Sequence, residues 1–148
     1  MIAKRNKILL DWEEIDRLVN ILCEKITTEI PSIDSVMGLP RGGLIPAVMV
    51  SHRLSLPLVT LPEPHTLVID DIADSGITLT NTPGIYTAVL HYKLHTSVFK
   101  PDLYSVLYKG DDFLQYPWEH KDAEPIADYL KHSFANENFL VRHRFFNY

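Results

Sequence analysis

Apolar residues in the first part of the chain recur with the period of an amphipathic α-helix. Between residues 12 and 26 they lie on one helical face, and Asp11 precedes the pattern as a candidate N-cap. Pro31 ends the pattern, because proline lacks the N–H that a continuing helix needs. A first helix is therefore predicted between these residues, after a short extended segment at residues 7–10. Nothing along this helix requires a chemical explanation, so it is predicted to be scaffold.

Short apolar runs separated by glycine and proline predict the next elements. Residues 35–39 have the composition of a core strand, residues 40–43 form a Pro-Arg-Gly-Gly turn, and residues 44–54 return to a helical pattern. Residues 56–61 are predicted to form a further short strand. Only residues 62–66 separate it from the next apolar run, and two prolines among them make this connection short and stiff.

The stretch at residues 67–78 organises the chain. Three apolar residues run directly into Asp70 and Asp71, which is typical of a buried parallel strand whose carboxyl end reaches solvent. A loop of small and hydroxyl-bearing residues follows at residues 73–78. Within it Gly76 permits close backbone approach, and the N–H groups of the next turn can surround an anion. The pattern indicates a phosphate cradle with carboxylates beside it, just beyond the strand.

A second strand follows after a brief helix. Residues 81–84, Asn-Thr-Pro-Gly, stop the helical pattern that begins near Thr78, and residues 85–92 have the β-branched and aromatic content of a strand. Lys93 ends that strand and is expected at the same sheet edge as the acidic pair. The chain is thus predicted to form one α/β domain over residues 1–148. Its mostly parallel twisted sheet has helices on both faces, and the amino-terminal strand and the segment after Lys93 form a small hood.

The run from Leu67 to Thr78 resembles the phosphoribosyl pyrophosphate (PRPP) signature of the type I phosphoribosyltransferases. Its hydrophobic residues, Asp-Asp pair, two apolar residues and Asp-Ser-Gly-x-Thr stand in that family's order. A strand ending in an acidic turn explains the Asp pair but not the ordered loop. The resemblance implies that Asp70 and Asp71 hold the ribose hydroxyls and a Mg²⁺ ion, and that Asp74 is a catalytic acid near the base. The PRPP-binding residues that it implies here are Asp70, Asp71, Ala73, Asp74, Ser75, Gly76, Ile77 and Thr78.

The turn between the first core strand and the second helix resembles the family's pyrophosphate loop. Paired glycines free backbone amides to approach an anion, and the guanidinium of Arg41 suits a phosphate. Arg-Gly-Gly also occurs in ordinary turns, but here it stands one strand ahead of the PRPP signature. The resemblance implies that Arg41 and Gly42 bind PRPP, and that Arg41 acts in catalysis by taking up charge on the leaving pyrophosphate.

The segment after Lys93 resembles the base-binding half of the 6-oxopurine phosphoribosyltransferases, above all the bacterial xanthine-guanine subfamily. The resemblance implies that Lys93 donates to the purine O6, that Phe113 stacks on the base where the family has tryptophan, and that Leu114 contributes a backbone contact. Glu119 stands in the place of the family's acid after Pro-Trp. The preference among guanine, hypoxanthine and xanthine stays open. The alternative for Phe113 and Trp118 is core or hood packing.

The resemblance implies a Mg²⁺-dependent enzyme that forms a nucleoside 5′-monophosphate and pyrophosphate from PRPP and a 6-oxopurine. Active members usually carry a long mobile loop where this chain has only residues 62–66. A PRPP- or nucleotide-binding sensor with little or no catalysis is therefore the alternative, and an RNA-binding regulator on the same fold is a third class.

Composition and charge narrow these choices. The chain has 148 residues, 46% hydrophobic and 22% charged, as is typical of one globular domain, and its net charge of −5 argues against a nucleic-acid binder. No apolar run suits a membrane span or a signal peptide, so a cytoplasmic location is expected. Cys23, the only cysteine, is predicted to be a buried structural thiol. An amphipathic helix is predicted at residues 125–134. The aromatic and basic tail at residues 139–146 is predicted to pack a homo-oligomer interface or to bind an anion.

Overall fold

A computed structural model describes residues 6–80 and 86–120 of the chain. Within these ranges, strands and helices alternate along most of the chain. The elements are β1 (Lys7–Leu9), α1 (Trp12–Glu29), β2 (Ser35–Gly38), α2 (Leu44–Leu54), β3 (Thr66–Ala73), α3 (Ile77–Thr80), β4 (Tyr86–Lys93), β5 (Leu103–Tyr108) and β6 (Phe113–Gln115). The helix predicted at residues 125–134 and the tail at residues 139–146 lie outside the described residues.

Four parallel strands form the main sheet in the order β2-β3-β4-β5. In this sheet Ile69 of β3 pairs with Gly38 of β2 on one side and with Ala88 of β4 on the other. β1 and β6 form a separate parallel pair, the hood. The predicted parallel α/β fold with a small hood is confirmed. Because the four strands run the same way, their carboxyl ends lie at one edge, where such sheets bind ligands.

The first helix begins and packs as its sequence predicts. The Asp11 carboxylate accepts the Glu14 N–H at 2.8 Å, which satisfies one of the unpaired donors of the helix N-terminus. The buried face of α1 joins α2 and all four strands of the main sheet in the larger of two core clusters. Cys23 lies in this cluster, and burial raises the pKa of its thiol, as expected of a structural cysteine. Among the described residues, no helix is long and apolar enough to cross a membrane.

Side chains of β3 alternate between the two faces of the sheet. Leu67 and Ile69 pack in the larger cluster, with α1 and α2, whereas Val68 packs in the smaller one. Leu79 of α3 also lies in the smaller cluster, so helices cover both faces. β3 is therefore buried on both sides, and only its carboxyl end leads to polar residues.

The prediction of a strand over the whole of residues 56–61 is wrong. Only Leu58 forms a β-bridge, with Val36, flanked by bonds from the Val36 N–H to the Pro57 carbonyl and from the Val59 N–H to the Val36 carbonyl. Pro57 has no N–H to donate, and the Leu58 and Leu61 side chains are 47% and 77% exposed. The segment therefore lacks both a full ladder and a buried face.

The structure corrects two further boundaries. β3 continues through the acidic pair to Ala73, because β4 pairs with it as far as the Ala73–Tyr92 pair. The acids therefore lie within the strand rather than beyond it. β5 joins the main sheet as its outer strand, next to β4, so only β6 of the segment after Lys93 belongs to the hood.

Candidate active site

The loop between β2 and α2 lies directly against the acidic pair. A Cβ added to Gly42 would lie 2.0 Å from Asp71 Oδ2, and a Cβ added to Gly43 would lie 2.3 Å from the Ile69 carbonyl oxygen. Only glycines allow this approach, and they bring the predicted pyrophosphate loop beside the predicted ribose-binding acids. Arg41 is exposed in this loop, and the peptide bond before it is cis.

The two acids of the pair differ in their surroundings. Asp70 is only 9% exposed, and its Oδ1 accepts the Asp71 N–H at 2.9 Å. Asp71 is half-buried, with its carboxylate beside Gly42. Among the described side chains, no cluster of three or more potential metal ligands is found. The donor set still fits Mg²⁺, because proteins commonly hold this ion through one or two carboxylates together with substrate phosphates.

The predicted phosphate loop begins where β3 ends. Ala73 is buried at the last position of the strand, and Gly76 has a φ of +78°, in the left-handed region that glycine adopts most readily. The Ile77 N–H donates to Ser75 Oγ at 3.4 Å, at the start of the single turn of α3. Thr78 lies half-buried within that turn. The structure thus places Ala73 at the end of the strand and the other four residues in the compact turn that follows, beside the acids.

Lys93 connects this loop to the hood side of the site. It is completely buried, and its Nζ lies 3.5 Å from Asp74 Oδ2. The ammonium also donates to the Asp112 carbonyl and lies 5.9 Å from the centre of the Tyr108 ring. The Tyr108 hydroxyl donates to Asp112 Oδ2 at 2.5 Å, and burial, followed by this bond, raises the pKa of Tyr108 to about 12. A buried ammonium beside a carboxylate is therefore held at the carboxyl end of β4.

The residues predicted to contact a base lie on β6 and in the turn after it. Phe113 is 6% exposed and packs in neither core cluster of the described residues. The side chain of Leu114, in contrast, belongs to the larger cluster. Glu119 is half-buried, and its N–H closes a turn onto the Tyr116 carbonyl at 3.0 Å. Trp118 stacks on Tyr116 with ring centres 4.9 Å apart. Trp118 therefore packs against other side chains of the protein, which is the alternative that the sequence left open for it.

Sequence reasoning missed a segment that contacts the phosphate loop, the β4–β5 loop at residues 94–102. Thr96 Oγ1 donates to the Asp74 carbonyl at 2.7 Å and lies 3.0 Å from Asp74 Oδ1. The Val98 N–H donates to the Ser75 carbonyl at 2.8 Å. A Cβ on Gly76 would lie 2.4 Å from Ser97 Oγ. The only available signal was the pair of hydroxyl residues soon after Lys93, and such residues are common in loops.

A buried hydrogen-bonded chain joins the hood to the acidic strand. The Tyr116 hydroxyl donates to the Asp71 carbonyl at 3.0 Å and lies 2.8 Å from His91 Nδ1. Because the hydroxyl has one hydrogen, His91 must donate to it from Nδ1, which fixes the tautomer of the ring. Burial is the main cause that lowers the pKa of His91 to about 4; Glu14 opposes it, while Lys93 and Arg17 add to it. His91 is therefore neutral near pH 7.

Protonation of His91 should weaken the fold as the pH falls. The pKa of this histidine is about 4 in the folded chain, below the ordinary value of 6.5, so the unfolded chain binds more protons between these values. The contribution of neutral His91 to the free energy of unfolding is complete above pH 6.5 and is lost as the pH falls toward 4. The expected slope is up to about 1.4 kcal/mol per pH unit.

Urea unfolding of the wild type and His91→Asn at several pH values between 7 and 4.5 measures this slope. The asparagine amide can still donate to Tyr116 but does not titrate, so the variant should show the shallower dependence. Equal slopes in wild type and His91→Asn would contradict the assignment.

Comparisons with known proteins agree with this geometry. Over 153 aligned residues the chain is 24% identical to the xanthine-guanine phosphoribosyltransferase of Chromohalobacter salexigens, covering 82% of this chain and 91% of that protein. It is 27% identical to the crystal structure of a purine phosphoribosyltransferase from Pyrococcus horikoshii Ot3, with a TM-score of 0.67 over 79% of this chain and 97% of that one. No family model matches the chain.

A second solved structure supports the fold alone. The xanthine-guanine-hypoxanthine phosphoribosyltransferase of Helicobacter pylori superposes with a TM-score of 0.65 at 17% identity, covering 88% of this chain and 99% of that one. These similarities cover 79–88% of the chain rather than one motif. Fold, loop order and sequence similarity together show that the chain has the α/β fold of the type I phosphoribosyltransferases and resembles the xanthine-guanine phosphoribosyltransferases.

Proposed function

We propose that the chain transfers the phosphoribosyl group of PRPP to a 6-oxopurine, which releases pyrophosphate and forms a nucleoside 5′-monophosphate. The bond from the anomeric carbon to pyrophosphate breaks, a bond from a purine nitrogen forms, and the nitrogen loses its proton. The observation that carries this proposal is the buried Lys93 ammonium beside Asp74, between the phosphate loop and the hood. It offers a hydrogen-bond donor and an acceptor where a base next to PRPP would lie.

The parts of PRPP contact different residues: the acidic pair binds the ribose, and two loops bind the two phosphate groups. Asp70 and Asp71 accept hydrogen bonds from the ribose hydroxyls, and the turn from Asp74 to Thr78 surrounds the 5′-phosphate. Arg41 and the Gly42 amide bind the pyrophosphate, because a guanidinium donates two parallel bonds to phosphate oxygens. When bound at the acidic pair, Mg²⁺ would neutralise and orient the pyrophosphate group. As the anomeric carbon gains positive charge, Arg41 stabilises the charge on the departing group.

Each residue near the base makes a different contact with the purine. Lys93 exchanges its bond with the Asp112 carbonyl for the purine O6, and Asp74 accepts the proton or hydrogen bond of a ring nitrogen. Phe113 stacks on the base, and the Leu114 main chain reads its other edge. Glu119 lies in the adjoining turn. A 6-oxopurine suits this set because its O6 is an acceptor facing an ammonium donor.

The alternative, a sensor that binds PRPP or a nucleotide with little turnover, is supported by residues 62–66. The Thr66 N–H donates to the Glu63 carbonyl at 3.0 Å, and the Glu63 N–H donates to Thr66 Oγ1 at 2.9 Å, so this connection is a closed turn. The His65 carbonyl accepts the Asp34 N–H at 3.1 Å, next to the start of β2. The turn therefore lies at the amino-terminal edge of the sheet, away from the acids, and supplies no lid.

If no segment outside the described residues and no other subunit covers the site, pyrophosphate release should be partly uncoupled from nucleotide formation. Water that reaches the anomeric carbon competes with the base, because lid closure normally excludes it. Pyrophosphate release from PRPP and Mg²⁺ is measured with and without hypoxanthine, guanine or xanthine, and nucleotide is quantified in the same tube. We expect nucleotide with at least one base, together with measurable release in its absence.

The same assay separates the two functions. PRPP binding without nucleotide from any purine would favour the sensor over the enzyme. Tight coupling at roughly 1–10³ turnovers per second would show that the short connection at residues 62–66 is no handicap to transfer. An Asp70→Asn, Asp71→Asn preparation, purified in parallel, controls for a contaminating host transferase.

A further inference from the structure

Asp74 is held from two sides, and one of them lies outside the PRPP signature. Its Oδ2 lies 3.5 Å from Lys93 Nζ, near the limit of a hydrogen bond, so this ion pair is loose. Its Oδ1 lies 3.0 Å from Thr96 Oγ1, and its carbonyl accepts the same hydroxyl at 2.7 Å. The one hydrogen of this hydroxyl is shared between the carbonyl and Oδ1 in a bifurcated bond, which ties the carboxylate to its own main chain and fixes its orientation.

Thr96 is itself fixed by its neighbours rather than by Asp74. The Ser97 N–H donates to the Lys93 carbonyl at 3.0 Å, which closes a turn directly after β4. One residue further, the Val98 N–H donates to the Ser75 carbonyl at 2.8 Å. Main-chain bonds on both sides therefore hold the Thr96 hydroxyl at a set position, where it directs the carboxylate.

We infer that Thr96 is a positioning residue that keeps the Asp74 carboxylate turned between the base and Lys93. This inference rests on the proposed function. Without the hydroxyl, the carboxylate can rotate toward Lys93 Nζ and form a closer ion pair. That pair would occupy the donor meant for the purine O6 and turn the acceptor away from the ring nitrogen. The contacts to the ribose phosphate would remain, because they come from other residues.

Thr96→Val tests the inference, since valine has nearly the same shape and lacks the hydroxyl. We expect kcat to fall about 10–100-fold, the effect of one hydrogen bond to a charged group, while the KM for PRPP stays within about twofold. Thr96→Ser restores the hydroxyl and should restore most of kcat. Thr80→Val is the matched control, because the Thr80 hydroxyl donates to the Gly76 carbonyl at 2.8 Å rather than to Asp74; it should retain kcat.

A binding experiment keeps the test independent of turnover. Thr96→Val should bind a 6-oxopurine nucleoside monophosphate about tenfold more weakly than wild type does, while ribose 5-phosphate, which lacks the base, binds within about twofold. If the wild type forms no nucleotide, the proposed enzymatic function fails, and these two affinities still decide the role of Thr96. Equal losses for both ligands, equal effects of valine and serine, or an unchanged nucleotide affinity would overturn the inference.

Discussion

Replacing both Asp70 and Asp71 with asparagine should abolish PRPP binding while the chain stays folded. An asparagine at position 70 retains an Oδ1 that can accept the N–H of residue 71, as Asp70 does at 2.9 Å. Asparagine is also isosteric with aspartate, so the close packing of residue 71 against Gly42 is preserved. What the variant loses is two negative charges that, in the proposed function, accept hydrogen bonds from the ribose hydroxyls and hold Mg²⁺. Hydrogen bonds to charged groups contribute about 1.5–3 kcal/mol each, so affinity should fall about 10²–10⁴-fold.

Calorimetric titration with PRPP and Mg²⁺ measures this loss, and thermal unfolding checks that the variant is folded. The matched control is Asp16→Asn with Asp34→Asn, which removes two charges from exposed positions away from the sheet edge. It should bind PRPP as the wild type does. An unchanged affinity in the Asp70 and Asp71 double variant would contradict the central assignment of the site.

Local signals in the sequence were sufficient for the helices. α2 spans Leu44–Leu54, the range that its apolar pattern predicts, because a glycine turn precedes it and the pattern ends at Leu54. α1 begins after the Asp11 cap and ends just before the predicted stop at Pro31. Both helices bury one apolar face, and that periodicity is encoded within each segment.

Strand boundaries depended on neighbours that the sequence does not identify. Residues 56–61 resemble a strand in composition, but with Pro57 in the run only Leu58 forms a bridge. In β3 the reverse occurs: acids that read as a strand end remain in the ladder because β4 continues beside them to Lys93. Pairing of this kind is set by distant segments, so composition alone could not give it.

Some residues of the candidate site could likewise be predicted from the sequence, and others could not. Three parts of the site could be predicted from the sequence, because each stands at a strand end or in an ordered motif: the acidic pair Asp70 and Asp71, the phosphate loop, and Lys93. The Thr96 contact to Asp74 joins residues 22 positions apart, and the Tyr116 contact to Asp71 joins residues 45 positions apart. Neither pair has a spacing or motif that would indicate it. Three-dimensional packing alone brings these hydroxyls to the acids.

Replacing Lys93 with methionine should weaken the use of 6-oxopurines far more than the binding of PRPP. Methionine keeps most of the length of the buried stem, so it leaves less of a cavity than alanine would. It removes the ammonium that faces Asp74 and the Asp112 carbonyl. The donor for the purine O6 is then lost, whereas the acids and the phosphate loop remain. We expect kcat/KM for hypoxanthine to fall about 10²–10³-fold, and PRPP affinity to change by no more than a few-fold.

Adenine provides the sharper comparison, because it carries an amino donor where hypoxanthine carries the O6 acceptor. In the proposed function the wild-type ammonium should reject adenine by facing a donor with a donor, so the ratio of kcat/KM for hypoxanthine to that for adenine should collapse in Lys93→Met. Lys25→Met is the matched control: Lys25 is a part-buried lysine that donates to the Tyr104 carbonyl at 2.6 Å, and its loss should leave the ratio unchanged. Equal losses for PRPP and hypoxanthine, with the ratio preserved, would place Lys93 outside the base-binding part of the site.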